Sequence, residues 1–272
     1  MSVANRTGGW SSGDAYERYV GRWSRRVAVA FLDWLAVPPG RRWLDIGCGT
    51  GVLTETILAH HAPAAVIGVD PSEPFLARAR VSITDPRASF AHGAADATGL
   101  ADESVDVAVA GLVLNFVPDV GAALGELQRV VGPAGVVAGY LWDYAEGMEL
   151  IRHFWDAAIA VDAGAVALDQ GKSLPIAGPG ALERAFLAAG FDDVAVRPIV
   201  IPTDFADFDD LWLPFLGGTG EAPSYVATLD EPTRVAIRER LRSTLVEAAD
   251  GSISLSARVW AVRGRPPAVW SS

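Results

Sequence analysis

The chain has 272 residues, half of them hydrophobic and 20% charged, enough for one large domain or two small ones around a sizeable core. Its 22 Lys and Arg against 33 Asp and Glu leave a formal charge of −11, and the acidic residues are scattered, not gathered in a tail. A nucleic-acid binder that neutralises phosphates needs a basic face, so nucleic acid is excluded as a partner. The one cysteine, Cys48, leaves no internal disulfide and no cysteine-built zinc site, and no metal cluster is expected.

The mean hydropathy is +0.25, yet no stretch reads as a membrane span: the nearest, 122–141, is broken by Glu126, Arg129 and Gly132-Pro133. The first residues have no apolar core of signal-peptide length, and the expectation is a soluble, cytoplasmic protein without a membrane partner.

Residues 1–13, rich in Gly and Ser, read as a disordered tail. A helical segment over 14–38 follows, with Val27, Ala30, Phe31, Trp34 and Leu35 on one apolar stripe, and Val37-Pro-Pro-Gly40 stops it. The spacing then predicts strands at 42–46, 65–69, 88–92, 105–110 and 136–141. Helices are predicted between them at 52–61, from Ser72 as N-cap to Arg80, and at 120–130, with residues 132–135 forming a turn. His60 and His61, at a helix C-terminus, read as partners of its dipole. Strands alternating with helices imply right-handed crossovers and a parallel sheet covered on both faces. After Trp142 the rhythm changes: helices at 148–161 and 179–189, an alternating strand at 191–201, an acidic, aromatic and largely helical stretch at 204–249, and a closing strand at 253–262. Within the helical stretch Val235, Ile237, Leu241 and Leu245 fall mostly on one side.

Between the first strand and the next helix lies Leu44-Asp45-Ile46-Gly47-Cys48-Gly49-Thr50-Gly51. Glycines there allow a tight turn and a close backbone approach to a ligand. The dinucleotide fingerprint fails because Val52 stands where its third glycine belongs, and no lysine follows to make a P-loop. Asp45 would repel a pyrophosphate and suit a cation. Asp70 ends the second strand, 19 positions beyond Gly51, where a carboxylate can accept from both ribose hydroxyls. Together these describe a nucleoside without phosphates and with positive character.

The run LDIGCGTG, then GVDPS, GAADATGLADESVDVAVAGLVLNF and LGELQRVVGPAGVV, resembles the class I S-adenosylmethionine-dependent methyltransferases over about residues 40–141. The resemblance implies a Rossmann-like fold: a seven-stranded, mostly parallel sheet with helices on both faces, its last strand antiparallel. It also implies a methyltransferase domain over 39–272 with helical cap segments near 144–178 and 204–250. The implied cofactor is S-adenosyl-L-methionine, with S-adenosyl-L-homocysteine as product. In this reading Gly47, Cys48, Gly49 and Gly51 line the methionine moiety, and Asp45 organises the loop near its amino group. Asp70, followed by Pro71, holds the ribose, while Asp96, between Ala95 and Ala97, accepts from the adenine amino group. Residues 112–116, from Leu112 through Asn115 to Phe116, lie under the methyl. The segment Tyr16-Glu-Arg-Tyr19 and Gly21-Arg-Trp-Ser24 resembles an N-terminal lid found in a subset of the family, which folds over the cofactor carboxylate; Tyr19, Arg22 and Trp23 are its candidates.

A sulfonium methyl is an activated electrophile, so the protein has mainly to align a nucleophile and exclude water. Acceptor recognition is expected from Asn115, Phe116, Trp142 and Tyr144 near strand ends and from Phe208, Trp212 and Phe215 in the insertion, where Phe205 and Tyr225 also stand. Those rings favour an apolar or aromatic metabolite. No strong base stands out; Tyr19, Asp143 and His153 are the candidates, and a nucleophile that needs no prior deprotonation is favoured. The expected function is methylation of a small molecule at oxygen, nitrogen or an electron-rich ring carbon by a monomer or homodimer. The alternatives are a nicotinamide oxidoreductase and a non-catalytic S-adenosylmethionine-binding protein.

Overall fold

The computed structural model describes residues 21–169, 171, 176, 178–218 and 220–267. A first helix, α1 (Arg22–Leu35), is followed by the alternation β1 (Arg42–Ile46), α2 (Val52–His60), β2 (Ala65–Asp70), α3 (Glu73–Ser82) and β3 (Ala88–His92). Then come β4 (Val105–Gly111), α4 (Val120–Val130) and β5 (Val131–Trp142). The second part holds α5 (Glu149–Val161), α6 (Pro179–Ala188), β6 (Asp192–Phe205), α7 (Phe208–Trp212), α8 (Glu221–Thr228), α9 (Glu231–Thr244) and β7 (Ile253–Arg265). Among the described residues no helix is long and apolar enough to cross a membrane.

The seven strands form one sheet in the order β3-β2-β1-β4-β5-β7-β6. The pairings from β3 to β5 are parallel and the last strands run antiparallel, which makes the fold Rossmann-like. Residues 43–46 of β1 are all buried because the strand lies between β2 and β4 and is covered on both faces. The expected turn at 132–135 is a protrusion inside β5: Val105 pairs with Val131 and Val107 with Val136, so four residues of β5 stand opposite the single Asp106 of β4.

The chain divides into two compact units. Ser24–Leu141, Ile176–Ile199 and the end of the chain from Trp260 form one; Arg22, Trp23, the segment that starts at Trp142 and Val200–Val259 form the other. The first unit contains the buried core of Leu44, Ile46, Val69, Ala108, Leu124, Leu127 and Val137 with Leu182, Phe186, Phe191 and Val262. On α1, Val27, Phe31 and Leu35 are buried, and the Phe31 ring lies 4.7 Å from that of Tyr140. Asp119 caps α4 by accepting from Ala122 N at 2.9 Å.

The second unit is built on aromatic rings. Phe154 of α5 stacks on Phe215 at 4.5 Å and 14°, Trp155 lies 5.7 Å from Tyr225, and the Tyr225 hydroxyl donates to Asp162 Oδ2 at 2.8 Å. Ile237 and Leu241 of α9 are buried as expected, but Val235 is 45% exposed: it lies two residues from Ile237, on the helix's solvent side. Phe215 is fully buried. Phe215→Ala is therefore expected to destabilise the protein by about 3–5 kcal/mol, read from the midpoint of urea unfolding.

Candidate functional site

The loop after β1 hangs from the end of β2. Gly47 N and Cys48 N both donate to Val69 O, at 2.7 and 3.2 Å, and Gly51 N closes the turn on Cys48 O at 2.9 Å. The register that pairs Ile46 with Val69 brings the two strand ends together. The glycines serve different ends. At Gly47 (φ +64°) an added Cβ would meet Val113 Cγ2 at 2.5 Å, a close packing contact. At Gly49 (φ +56°) it would meet nothing within 4 Å, so this stretch of backbone faces open space. Cys48 is buried, and burial beside the carboxylates of Asp45 and Asp70 pushes its thiol up, which leaves it an inert packing group.

Asp70 fixes this arrangement. Its Oδ2 accepts from Gly49 N at 2.9 Å and its Oδ1 from Ser72 N at 2.8 Å, so each oxygen of a nearly buried carboxylate holds one backbone amide. Ser72 occupies the N-cap position of α3, as expected, but its side chain makes no capping bond; its amide serves Asp70 instead. Pro71 between them is exposed. Asp45, 1% exposed, accepts from Thr54 Oγ1 at 2.7 Å. Burial pushes its carboxyl up to about 7, the Thr54 hydrogen bonds partly oppose this, and the Asp70 charge adds to it.

The third aspartate sits on a small turn. Ala94 and Ala97 exchange two backbone hydrogen bonds, at 3.2 and 3.1 Å, presenting half-buried Ala95 and exposed Asp96 at the tip. Behind it Thr98 N and Oγ1 both donate to Glu126 Oε1, at 2.9 and 2.6 Å. The Arg129 guanidinium holds that carboxyl down to about 2. Sequence reasoning missed this anchor, whose partners stand 28 residues apart. At the end of β4, Leu112 has φ +62°, a strained conformation for a non-glycine, and its amide is tied to Tyr140 O at 2.8 Å. Half-buried Asn115 and exposed Phe116 follow on a short 3-10 turn. His61 packs its ring 6.0 Å from Trp43, and burial lowers its pKa.

The remaining candidates belong to the other unit. Trp142 and Tyr144 are buried. Asp143 Oδ2 takes Nε and Nη2 of Arg258, at 2.8 and 2.6 Å, while its Oδ1 accepts from Glu146 N. Its carboxylate is thus spent on a structural ion pair. His153 is half-buried on α5. Phe208, Trp212 and Phe215 are all buried; Trp212 lies against Phe215, and Arg238 and Arg242 cover Phe208. Trp23 meets Phe205 edge-on at 5.6 Å. Tyr16 and Tyr19 lie outside the described residues. Among the described residues no group of His, Cys, Asp or Glu is arranged to hold a metal ion.

A parallel sheet carrying a glycine loop after β1 and a carboxylate at the end of β2 defines a nucleoside-binding α/β protein. Residues 44–139 match the family model described as a methyltransferase domain. Two curated relatives are the demethylmenaquinone methyltransferase of Roseiflexus sp. (strain RS-1), 38% identical over 38% of this chain and 44% of the relative, and the trans-aconitate 2-methyltransferase of Variovorax paradoxus (strain S110), 32% identical over 48% and 49%. The chain spans about half the length of these relatives. Among solved structures, a putative type II methyltransferase from Anaeromyxobacter dehalogenans matches with TM-score 0.65 and 26% identity, over 88% of this chain and 96% of that one. The stretch 44–139 is thus similar to methyltransferase domains, and the fold is the one such structures have.

Folding raises the Asp45 pKa from 3.8 to about 7, so the folded state holds this proton more tightly than the unfolded chain. The group therefore takes stability away as pH rises from about 4 through about 7. Asp45→Asn is expected to remove that slope and to gain on the wild type by on the order of a few kcal/mol between about pH 4.5 and about pH 8, measured by urea unfolding.

Proposed function

We propose that the chain transfers a methyl group from S-adenosylmethionine to a small-molecule acceptor. The observation that carries this reading is the Asp70 carboxylate, immobilised by the amides of Gly49 and Ser72 beside a loop whose Gly49 faces open space. Those features fit a nucleoside with an amino-acid tail: the backbone at Gly49 admits the tail, and a pre-aimed carboxylate accepts from ribose hydroxyls. Asp96 at its turn tip accepts from the adenine amino group, with Ala95 and Ala97 beside it. Asp45, tied to Thr54 and driven toward its neutral form, steadies the strand end that carries the loop, and the strained Leu112 carries backbone to the end of β4, where open α/β sheets bind their ligands.

When bound, S-adenosylmethionine supplies a methyl already activated on a sulfonium. The chain's own residues then have to hold, orient and keep dry, which proximity alone can make worth several kcal/mol, within a ceiling of about 7–11. No proton-transfer step is assigned. Asp143 is held by Arg258, which supports an acceptor atom that attacks without prior deprotonation, such as an electron-rich carbon or a neutral amine. The relatives named for demethylmenaquinone and trans-aconitate support a small molecule as acceptor and leave its class open.

Calorimetry with S-adenosylmethionine and with NAD tests the reading: binding of the first and not the second is expected, and the reverse overturns it. Asp70→Ala is expected to weaken S-adenosylmethionine by about 2–3 kcal/mol through the loss of charge-assisted hydrogen bonds. The two glycines are expected to part company. Gly49→Ala unfolds within roughly 1–2 kcal/mol of the wild type, the strain of a left-handed non-glycine, but loses cofactor binding. Gly47→Ala is destabilised further by its clash with Val113. Equal affinity for S-adenosylmethionine in wild type and Gly49→Ala would remove the loop from the site.

A further inference from the structure

Two residues one turn apart on α4 hold a whole loop. Glu126 Oε1 accepts from Thr98 N at 2.9 Å, from Thr98 Oγ1 at 2.6 Å and from Arg129 Nη2 at 2.8 Å, and its Oε2 accepts from Arg129 Nε at 2.8 Å. Arg129 carries the hold further along the chain. Its Nη2 also donates to Leu100 O at 2.7 Å, its Nη1 donates to Asp102, and its carbonyl oxygen accepts from Glu103 N at 3.0 Å. The Thr98 hydroxyl, which donates to Glu126, accepts from Leu100 N at 3.2 Å. Residues 93–103, Glu126 and Arg129 all belong to the unit that contains the glycine loop and Asp70.

The turn that carries Asp96 stands between this clamp and the end of β2. On one side Gly93 N donates to Asp70 O at 3.2 Å, and a Cβ at Gly93 would meet Val69 Cγ1 at 2.9 Å, so the root of the turn lies tight on β2. On the other side buried Thr98 follows Ala97 directly. Between these anchors exposed Asp96 makes no hydrogen bond among the described residues, so its carboxylate oxygens are available while the backbone beneath them is pinned. The pinning is charge-assisted, because every bond of the Glu126 carboxylate and every bond of the Arg129 guanidinium has an ionised partner on at least one side. The Arg129 guanidinium holds the Glu126 carboxyl down to about 2, so the clamp keeps its charge across the neutral range.

We propose that Glu126 is a positioning residue for the adenine end of the nucleoside: through Thr98 it fixes the turn so that Asp96 faces the exocyclic amino group, and it thereby sets the preference of the site for adenosyl over other nucleosides. This rests on the methyl-transfer reading and on Asp96 as the adenine acceptor. Glu126 does not itself touch the ligand, since its oxygens are taken by Thr98 and Arg129. What it removes is the freedom of the turn. A carboxylate on a loose loop swings to water when it meets a carbonyl oxygen and so discriminates little. On a pinned backbone it accepts from an amino group and repels a carbonyl in the same place. A clamp that served the fold alone would make no such distinction.

The test is calorimetry on the full chain with S-adenosylhomocysteine and with S-inosylhomocysteine, in which a carbonyl oxygen replaces the amino group. The wild type is expected to prefer the adenosyl compound by about tenfold or more. Glu126→Ala is expected to cut that preference to about threefold or less while changing the inosyl affinity by less than about twofold. Thr98→Val removes one of the two Thr98 bonds and leaves the Glu126–Arg129 pair in place; it is expected to lower the preference by about twofold or more. An unchanged preference in Glu126→Ala, or in Thr98→Val where the first variant does not fold, overturns the proposal, and Glu126 then serves only the fold. A wild type that binds S-adenosylhomocysteine but does not prefer it overturns the role of Asp96 and the proposal with it. No binding of S-adenosylhomocysteine at all overturns the methyl-transfer reading and everything built on it.

Discussion

Two hydrogen bonds to one carboxylate organise the candidate site. Asp70 joins the amide of Gly49, in the loop after β1, to the amide of Ser72, at the head of α3. A buried charge is expensive unless its lone pairs are used, and these two amides offset that penalty while fixing the plane of the carboxylate. The remaining lone pairs are thereby aimed before any ligand arrives. The parallel pairing of β1 with β2 makes this possible, because it sets the glycine loop directly beside the residue that ends the neighbouring strand. Asp45 bears the consequence: a second carboxyl, buried close to the first, is driven toward its neutral form.

Strain gathers in the same unit. Leu112 holds a left-handed backbone that glycine adopts freely and leucine does not. Its amide bond to Tyr140 O keeps it there. The next residue, Val113, fills the space that a side chain at Gly47 would need. The ends of β1 and β4 are thus fitted to each other, with a small residue required on one side and a strained one tolerated on the other. Such outliers persist where the surrounding structure over-determines them, as it does here.

The alternation of elements was legible because buried parallel strands read as short continuous apolar runs. RWLDI and AVIGVD are both bounded by punctuation, and the structure starts β1 and β2 at the residues expected. The glycine loop and Asp70 were legible because their chemistry is local to two strand ends. What escaped depends on partners far apart in the chain. Thr98 finds Glu126 28 residues away, and Asp143 finds Arg258 115 residues away. Composition marks Phe215 as aromatic and suited to a pocket; only its stacking on Phe154 gives it a role in the core. Ser72 reads as a cap from its type and place, yet its amide, not its hydroxyl, is what the fold uses.

The arginines of the aromatic unit carry this lesson one step further. Arg22, Arg152 and Arg258 are indistinguishable by composition, and each contributes one positive charge to a chain with an excess of acid. What separates them is which N–H groups the fold has already used. Arg258 gives Nε and Nη2 to Asp143, Arg152 gives its two terminal nitrogens to Asp169 and keeps a buried Nε without a partner among the described residues, and Arg22 spends one terminal nitrogen on Asp210. Contact with the edge-on pair Trp23 and Phe205 and the bond to Asp210 restrict how that guanidinium can turn. A flexible surface cation selects ligands weakly because it must be ordered on binding, whereas one already clamped on three sides has lost that freedom during folding.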